Sequence, residues 1–157
     1  MTSFNIYMAG PVFTMAERAF NERLANALNA LIPGATCLLP QIEAEKFLPS
    51  VSRMAFECLR QINSSAVVIA CLDGADVDSG TAFEVGYALA NKIPIIGYRT
   101  DFRGGEVDGV NAMLHYACSL YIDAPQRISD EQQLANILAP AISNFANKLC
   151  TTLEDGR

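Results

Sequence analysis

The chain has 157 residues, of which 51% are hydrophobic and 18% are charged. This composition is typical of one globular domain and excludes a disordered or fibrous protein. The formal net charge is −6, from 11 basic and 17 acidic residues, which argues against binding to nucleic acid polymers. We therefore expect a single domain over residues 1–157 that binds a small or neutral ligand.

Cysteine and histidine usage gives no sign of a metal site. The five cysteines lie far apart without a CxxC pair, and the single histidine, His115, cannot form a His-rich site. The N-terminus has no basic stretch followed by an apolar one, and the apolar runs are shorter than the roughly 18 residues of a membrane span. We expect a cytoplasmic protein without metal or membrane contact.

The first part of the chain alternates predicted strands and helices. A short apolar run that ends at Gly10-Pro11 is typical of a buried parallel strand. Helical spacing then predicts two helices, whose inward positions are Phe20, Leu24, Leu28 and Leu31 in the first and Met54, Cys58, Leu59 and Ile62 in the second. The predicted strands cover residues 4–9 and 36–39, and the predicted helices cover residues 14–31 and 52–62.

The strongest strand signal is the β-branched run at residues 66–72, which ends at Asp73-Gly74. The elements predicted after it are a helix at about 80–91, a strand at 94–98, a short helix near Val110, a strand around Leu120 and an amphipathic helix at 131–149. Strands that alternate with helices indicate an α/β fold with helices on both faces of a parallel sheet. We expect a doubly wound, five-stranded sheet in the order 2-1-3-4-5.

This strand order predicts that Tyr7 and Glu84 are neighbours. In open α/β sheets, ligands bind at the carboxyl ends of the strands where the strand order reverses, which is here between the first and third strands. The segments at residues 7–13 and 73–84 should meet at that point.

Glu84 has two interpretations. The sequence Thr81-Ala-Phe-Glu84 matches a capping box, and taken alone it favours a structural role. Asp78 and Ser79, however, are better N-terminal caps, and they would place Glu84 inside an apolar helix. A buried carboxylate needs a hydrogen-bond donor, and Tyr7 is the candidate. Two carboxylates near a cleft, such as Glu84 and Asp78, are also what glycosyl chemistry requires.

Three segments in register resemble the nucleoside 2-deoxyribosyltransferase family. They are residues 6–13 (IYMAGPVF), 78–87 (DSGTAFEVGY) and 111–113 (NAM), and the resemblance extends from residue 4 to about 122. It implies a flavodoxin-like fold, no cofactor, and 2′-deoxynucleosides and free nucleobases as partners. It also implies base exchange through a covalent deoxyribosyl-enzyme with retention of configuration, in which Glu84 is the nucleophile that attacks C1′.

The resemblance assigns roles to residues on both sides of the crevice. Tyr7 would orient Glu84, and Asp78 would hold the sugar or assist proton transfer to the base. Gly10 and Ser79 match substrate-binding positions. Phe13 would stack near the base, although a loop phenylalanine is equally often part of a core.

Asn111 and Met113 match a segment that members of the family contribute to the pocket of a neighbouring subunit, where the Asn contacts the 5′ end of the sugar. The resemblance therefore implies a homo-oligomer. For His115, close to this segment, we expect a surface or packing role.

The chain departs from the family at Cys58, where some members carry an acid or an amide. Glu57 could replace that group only if the helix shifted its register by one residue. The departure leaves open how the leaving base is protonated, and whether purines or pyrimidines are preferred. The loop at residues 98–103 would either close over the base or be solvated.

Two alternatives remain open. A 2′-deoxynucleoside 5′-monophosphate N-glycosidase shares the glutamate but needs phosphate donors, and the first turn carries no basic residue before Arg18. Ser79 and Arg99 or Arg103 are the donors that keep this alternative open. A non-catalytic nucleotide-binding module on the same fold would use Glu84 only as a cap.

Overall fold

The structure is a computed structural model that describes residues 3–101, 109–124 and 128–155, with side chains up to residue 148. Five strands form one parallel sheet in the order β2-β1-β3-β4-β5, which confirms the predicted α/β fold and strand order. The strands are β1 (Phe4–Ala9), β2 (Ala35–Leu38), β3 (Val67–Cys71), β4 (Ile95–Arg99) and β5 (Leu120–Asp123). The helices are α1 (Met15–Leu31), α2 (Pro40–Glu43), α3 (Val51–Asn63), α4 (Ser79–Ala90), α5 (Ala112–Ala117) and α6 (Glu131–Asp155).

Each face of the sheet carries its own apolar core, because successive strand residues point to opposite faces. Ile6 and Met8 of β1 pack on one face with α1 and α6. Tyr7 and Ala9 pack on the other face with α3, α4 and α5. β3 is buried along its whole length, as its unbroken apolar run predicts. Tyr7 is thereby directed to the same side of the sheet as α4.

Leu31 corrects the predicted core face of α1. This residue is 40% exposed, whereas Ile32 is 4% exposed. Ile32 is the C-terminal cap of α1 and has an extended backbone, with φ −115° and ψ 99°. Its side chain therefore leaves the helical direction and enters the core in place of Leu31.

The segment between β2 and α3 contains structure that the sequence pattern did not predict. Helix α2 has Pro40 in its first turn, and a 3₁₀ turn follows at Glu45–Phe47. The fixed φ of proline suits the start of a helix, so Pro40 was the signal available for α2. This short helix brings Gln41, which is 2% exposed, beneath α1.

Arg103 and the side chain of Cys150 lie outside the described residues. Cys37, Cys58, Cys71 and Cys118 are free thiols. Across the three described ranges, no helix combines the length and apolar character needed to cross a membrane.

Candidate active site

The carboxyl ends of β1 and β3 lie side by side, with Ala9 paired to Ala70. The chain leaves β1 towards α1 on one face and leaves β3 towards α4 on the other. The two loops therefore separate above the sheet and open a crevice at the point where the strand order reverses.

Asp78 starts the helix that carries Glu84. Its Oδ2 atom accepts hydrogen bonds from the backbone N–H of Thr81, at 2.9 Å, and from the hydroxyl of Thr81, at 3.1 Å. The prediction of a cap at Asp78 is confirmed. The capping box from Thr81 to Glu84 was wrong, because α4 begins at Ser79 and Thr81 is already its third residue. Glu84 thus lies in the second turn of α4, beyond the N-terminal residues that need a cap.

Tyr7 and Glu84 are hydrogen bonded, as the strand order predicts. The phenol oxygen of Tyr7 donates to Oε1 of Glu84 at 2.5 Å. Tyr7 is completely buried and Glu84 is partly buried. Charge-assisted O–H···O bonds have this short length.

The pKa values of this pair follow from burial and charge. Burial raises the pKa of Tyr7 far above its usual value, and the charge of Glu84 raises it further, so Tyr7 remains a proton donor. The pKa of Glu84 is raised to about 7, and burial is the largest cause. The hydrogen bond from Tyr7 lowers this pKa, and the charge of Asp78 raises it. At neutral pH the Glu84 carboxyl is therefore close to the midpoint of its titration.

Cys58 lies on α3 against the buried Tyr7 cluster. Its thiol interacts with the Tyr7 phenol, and burial is the largest cause that raises the pKa of the thiol. The charges of Glu84 and Glu57 raise that pKa as well. The Tyr7–Glu84 pair therefore has a neutral thiol beside it.

Glu57 does not take the place of Cys58, because α3 keeps its register. The Glu57 carboxylate accepts two hydrogen bonds from Arg60, at 2.5 and 2.8 Å, and one from Gln61, at 2.9 Å. The bonds from Arg60 and Gln61 lower the pKa of Glu57 to about 2. An acid of that pKa is ionised at neutral pH, so it is a poor proton donor.

The loop between β1 and α1 forms one wall of the crevice. A Cβ atom at Gly10 would lie 3.3 Å from Cβ of Cys71, so glycine allows the first turn to pack closely on β3. Phe13 is 76% exposed, which removes the alternative that it belongs to the core. Its ring is at the surface of the protein.

The remaining predicted residues lie on α4 and α5. Ser79 is exposed in the first turn of α4. Asn111 caps α5, since its Oδ1 atom accepts from the N–H of Met113 at 2.9 Å, and Met113 is 73% exposed. The structure thus brings Tyr7 and Glu84 together, whereas Asn111 and Met113 lie on α5, which packs against α4.

Arg99 is an anchor for the loop after β3. It is 1% exposed, and its guanidinium donates to the carbonyl oxygens of Leu72 at 2.7 Å, Gly74 at 3.1 Å and Asp101 at 3.0 Å. Sequence reasoning offered Arg99 as a phosphate donor. In the structure its donors serve backbone carbonyls.

Asp73 completes this connection between β3 and β4. Its carboxylate accepts from the N–H of Thr100 at 2.6 Å, from the hydroxyl of Thr100 at 2.5 Å and from the N–H of Asp101 at 3.0 Å. The sequence signal for its role is only its place directly after a buried strand.

A cavity of about 310 Å³ lies beside the crevice, on the α1 side of the sheet. It is lined by Pro11, Ala16, Glu17, Phe20, Asn21, Cys71, Asp73, Gly74 and Thr100. The Tyr7–Glu84 bond lies on the α4 side. Among the described side chains, no group of three or more His, Cys, Asp or Glu residues is arranged to hold a metal ion.

The fold is similar to several solved structures. They include a conserved protein from Enterococcus faecalis V583, with 23% identity and a TM-score of 0.68 over 86% of this chain and 96% of that chain. The 2-deoxyribosyltransferase from Bacillus psychrosaccharolyticus has 23% identity and a TM-score of 0.61 over 84% and 90%. The CMP N-glycosidase BcmB from Clostridium botulinum has 18% identity and a TM-score of 0.56 over 85% and 97%. At these identities the likeness shows the fold alone.

Sequence comparison gives the family. Among curated protein sequences, none is significantly similar to the chain. The sequence model of the nucleoside 2-deoxyribosyltransferase family matches residues 6–136, which include the crevice, the Tyr7–Glu84 pair and the α5 segment. The chain belongs to the nucleoside 2-deoxyribosyltransferase family.

Proposed function

We propose that the protein transfers the 2-deoxyribosyl group of a 2′-deoxynucleoside from one nucleobase to another. The observation that carries this proposal is the 2.5 Å hydrogen bond from Tyr7 to Glu84 at the strand-order reversal. Family membership supports it as well. A partly buried carboxylate with a fixed donor is suited to attack a bound sugar.

The proposed reaction has two displacements at C1′. Glu84 attacks C1′ while the C1′–N bond breaks, and the electron pair of that bond leaves with the base, which takes up a proton. A nitrogen of the second base then attacks C1′, loses its proton and returns the carboxylate of Glu84. Each displacement inverts C1′, so the product retains the original configuration.

Tyr7 and Asp78 have supporting roles in this proposal. The phenol of Tyr7 fixes one oxygen of Glu84 and favours its charged form against burial. Asp78 would hold the sugar or assist proton transfer to the base, and its bonds to Thr81 fix its position at the start of α4. The pKa of about 7 at Glu84 lets the group release its proton near neutral pH.

Substrate contacts would come from the residues that border the crevice. Gly10 lets the first turn pack closely on β3 at the edge of the crevice. The exposed ring of Phe13 can stack on a base, since aromatic faces bind planar heterocycles. Ser79 places a hydroxyl at the start of α4.

A second copy of the chain would complete the site with Asn111 and Met113. Large apolar side chains are exposed along α3, α4 and α5, namely Phe56 at 68%, Phe83 at 63%, Met113 at 73% and Tyr116 at 78%. Exposed apolar surface of this kind is typical of a protein interface. The arrangement supports a homo-oligomer in which this side of the sheet is covered.

The structure favours transfer over the two alternatives. Arg99 donates to backbone carbonyls, and Arg18 forms a two-point ion pair with Glu45, so these two cations have protein partners, while Arg103 lies outside the described residues. This weakens the case for recognition of a 5′-phosphate by a hydrolase. A non-catalytic module would need Glu84 as the cap of α4, which is the role of Asp78.

Two broader expectations belong to the same proposal. One sheet runs from β1 to β5 with α6 packed on α1, which supports a single domain over the chain. The free thiols support a reducing compartment such as the cytoplasm, where base exchange would serve nucleotide salvage.

The test is base exchange by the purified protein. Incubation with deoxyinosine and free adenine should yield deoxyadenosine, detected by chromatography, whereas free deoxyribose without a new nucleoside would indicate hydrolysis. Glu84→Ala should abolish exchange while the circular dichroism spectrum is retained. Glu131→Gln removes a carboxylate that pairs with Arg23 on the opposite side of the sheet, so it should keep full activity. Exchange by Glu84→Ala would refute the assigned nucleophile.

A further inference from the structure

Two buried amide side chains meet beneath the loop between β1 and α1. Asn21 is 6% exposed and Gln41 is 2% exposed. The amide nitrogen of Asn21 donates to the carbonyl oxygen of Pro11 at 3.0 Å and to Oε1 of Gln41 at 3.1 Å. We name these two residues the Asn21–Gln41 pair.

The pair joins three segments of the chain. The amide nitrogen of Gln41 donates to the carbonyl oxygen of Arg18 at 2.9 Å and to Oε1 of Glu22 at 3.0 Å. Four hydrogen bonds therefore connect the loop at Pro11, helix α1 and helix α2. The oxygen of Gln41 and both amide nitrogens have partners, which fixes the orientation of both amides.

Asn21 occupies a position where an apolar residue would serve packing better. It lies on the same face of α1 as Leu24, Ala25 and Leu28, all of which are buried. Polar side chains are seldom buried unless their hydrogen bonds are made, and each bond contributes only modestly to stability. The amide at this position therefore contributes more to the position of the loop than to the stability of the core.

The outer part of the same loop is held separately. The carboxylate of Glu17 accepts from the N–H of Phe13 at 3.0 Å and from the N–H of Thr14 at 2.7 Å. These bonds are exposed, whereas the bond from Asn21 to Pro11 is partly buried and continues into the buried bond to Gln41. Exposed hydrogen bonds open easily, so the inner anchor at Pro11 decides where the loop stands.

This loop begins directly after the strand that carries Tyr7. It presents Gly10, which packs against Cys71, and the exposed ring of Phe13. From this geometry we infer that the Asn21–Gln41 pair is a positioning element for substrate recognition, which holds the loop in the place where Gly10 and Phe13 meet the nucleoside. The inference rests on the proposed function.

The inference predicts a particular kinetic change. Contacts from the loop are present in the substrate complex and in the transition state alike, so their loss should raise KM and leave kcat unchanged. We expect Asn21→Leu to raise KM for the deoxynucleoside about tenfold, since one lost hydrogen bond to a fixed loop is worth about that factor. The pH dependence of kcat should stay as in the wild type, because the bond from Tyr7 to Glu84 is untouched.

Gln61→Leu is the matched control. Gln61 is also an amide that is 2% exposed, and it donates to Glu57 on α3, away from the loop. Both variants should lose stability, but only Asn21→Leu should change KM. Amide hydrogen exchange of residues 12–14, compared in the two variants, should be faster only in Asn21→Leu. This second readout needs no activity.

The outcomes separate the inference from the proposed function. A wild-type protein without base exchange contradicts the proposed function, whatever the variants do. An active wild type whose KM and loop exchange are the same in Asn21→Leu and Gln61→Leu overturns the inference, because the pair would then be only structural. Should Asn21→Leu fail to fold, Gln41→Met is the second variant. It removes the bond between the two amides and keeps the bond from Asn21 to Pro11, so a smaller effect is expected. Its KM should rise about threefold, and an unchanged KM would overturn the inference.

Discussion

Tyr7 donates a 2.5 Å hydrogen bond to Glu84 across 77 positions of sequence, and it does so from a completely buried strand position. Two opposing effects meet in this bond. Burial raises the pKa of Glu84, while the bond from Tyr7 favours the carboxylate and lowers it. The balance is a pKa of about 7, compared with an ordinary value of 4.5.

The first prediction concerns the pH dependence of the reaction. The nucleophile must be the carboxylate, so protonation of Glu84 removes the active form as the pH falls. We expect kcat/KM to decrease about tenfold per pH unit below about 7 and to level off above it. The measurement is base exchange between pH 5 and 9. A flat profile down to pH 5 would show that Glu84 titrates at its ordinary value, and the environment described for it would be wrong.

The second prediction is that Tyr7→Phe slows the chemical step and moves this profile. The substitution removes one oxygen and keeps the ring, so the fold should be retained. Loss of a hydrogen bond to a charged group costs about 2 kcal/mol, which corresponds to a decrease in kcat of about thirtyfold. Because the bond lowers the pKa of Glu84, the acid side of the profile should move to higher pH.

Tyr98→Phe is the control for that variant. Tyr98 is 2% exposed on β4 and packs on the opposite face of the sheet, so it tests removal of a buried phenol oxygen away from Glu84. Its kcat and pH profile should match those of the wild type. If both variants lost activity equally, the effect of Tyr7→Phe would reflect packing and not the bond to Glu84.

The contact between Tyr7 and Glu84 could be predicted from the sequence because it depends on the strand order, which follows from the succession of strands and helices along the whole chain. Alternating strands and helices give the order, and the order places β1 beside β3. The sequence did not predict the partners of Arg99, Asp73 or Asn21. Most of these partners are backbone carbonyls and N–H groups of loops, beside the Thr100 hydroxyl and the Gln41 side chain, and periodicity carries no information about the distance between two loops. The hydrogen-bond partners of such residues can be assigned only when the positions of the loops are known.

The third prediction concerns Cys58. Its neutral thiol lies beside Tyr7 and near Glu84, so a carboxylate at that position would add a negative charge to the pair. Cys58→Asp should therefore raise the pKa of Glu84 and move the acid side of the kcat/KM profile to higher pH by about one unit. Cys58→Ser should leave the profile in place.

Cys37→Asp is the comparison for the added charge. Cys37 is a half-buried thiol on β2, and it packs on the opposite face of the sheet from Tyr7. Cys37→Asp should destabilise the protein without moving the pH profile. An unchanged profile in Cys58→Asp would place Cys58 too far from Glu84 to influence its charge.

The fourth prediction is that Arg99→Met lowers the free energy of unfolding by about 3 kcal/mol. Arg99 is 1% exposed, and its loss leaves the carbonyl oxygens of Leu72 and Gly74 without their donor inside the protein. Methionine keeps most of the side-chain volume, so the cost comes from the hydrogen bonds. Urea denaturation of the variant measures this cost.

The same variant tests whether the loop that Arg99 anchors determines the position of Glu84. The carbonyls that Arg99 holds lie at the start of the loop that leads to Asp78, so a loosened loop should shift α4 and lengthen the bond between Tyr7 and Glu84. We expect kcat of Arg99→Met to fall about tenfold at a temperature where the variant is fully folded. Arg53→Met, at an exposed position on α3, should change neither stability nor kcat. Full activity in a destabilised but folded Arg99→Met would show that α4 keeps its position without Arg99, through its packing on the sheet and on the neighbouring helices.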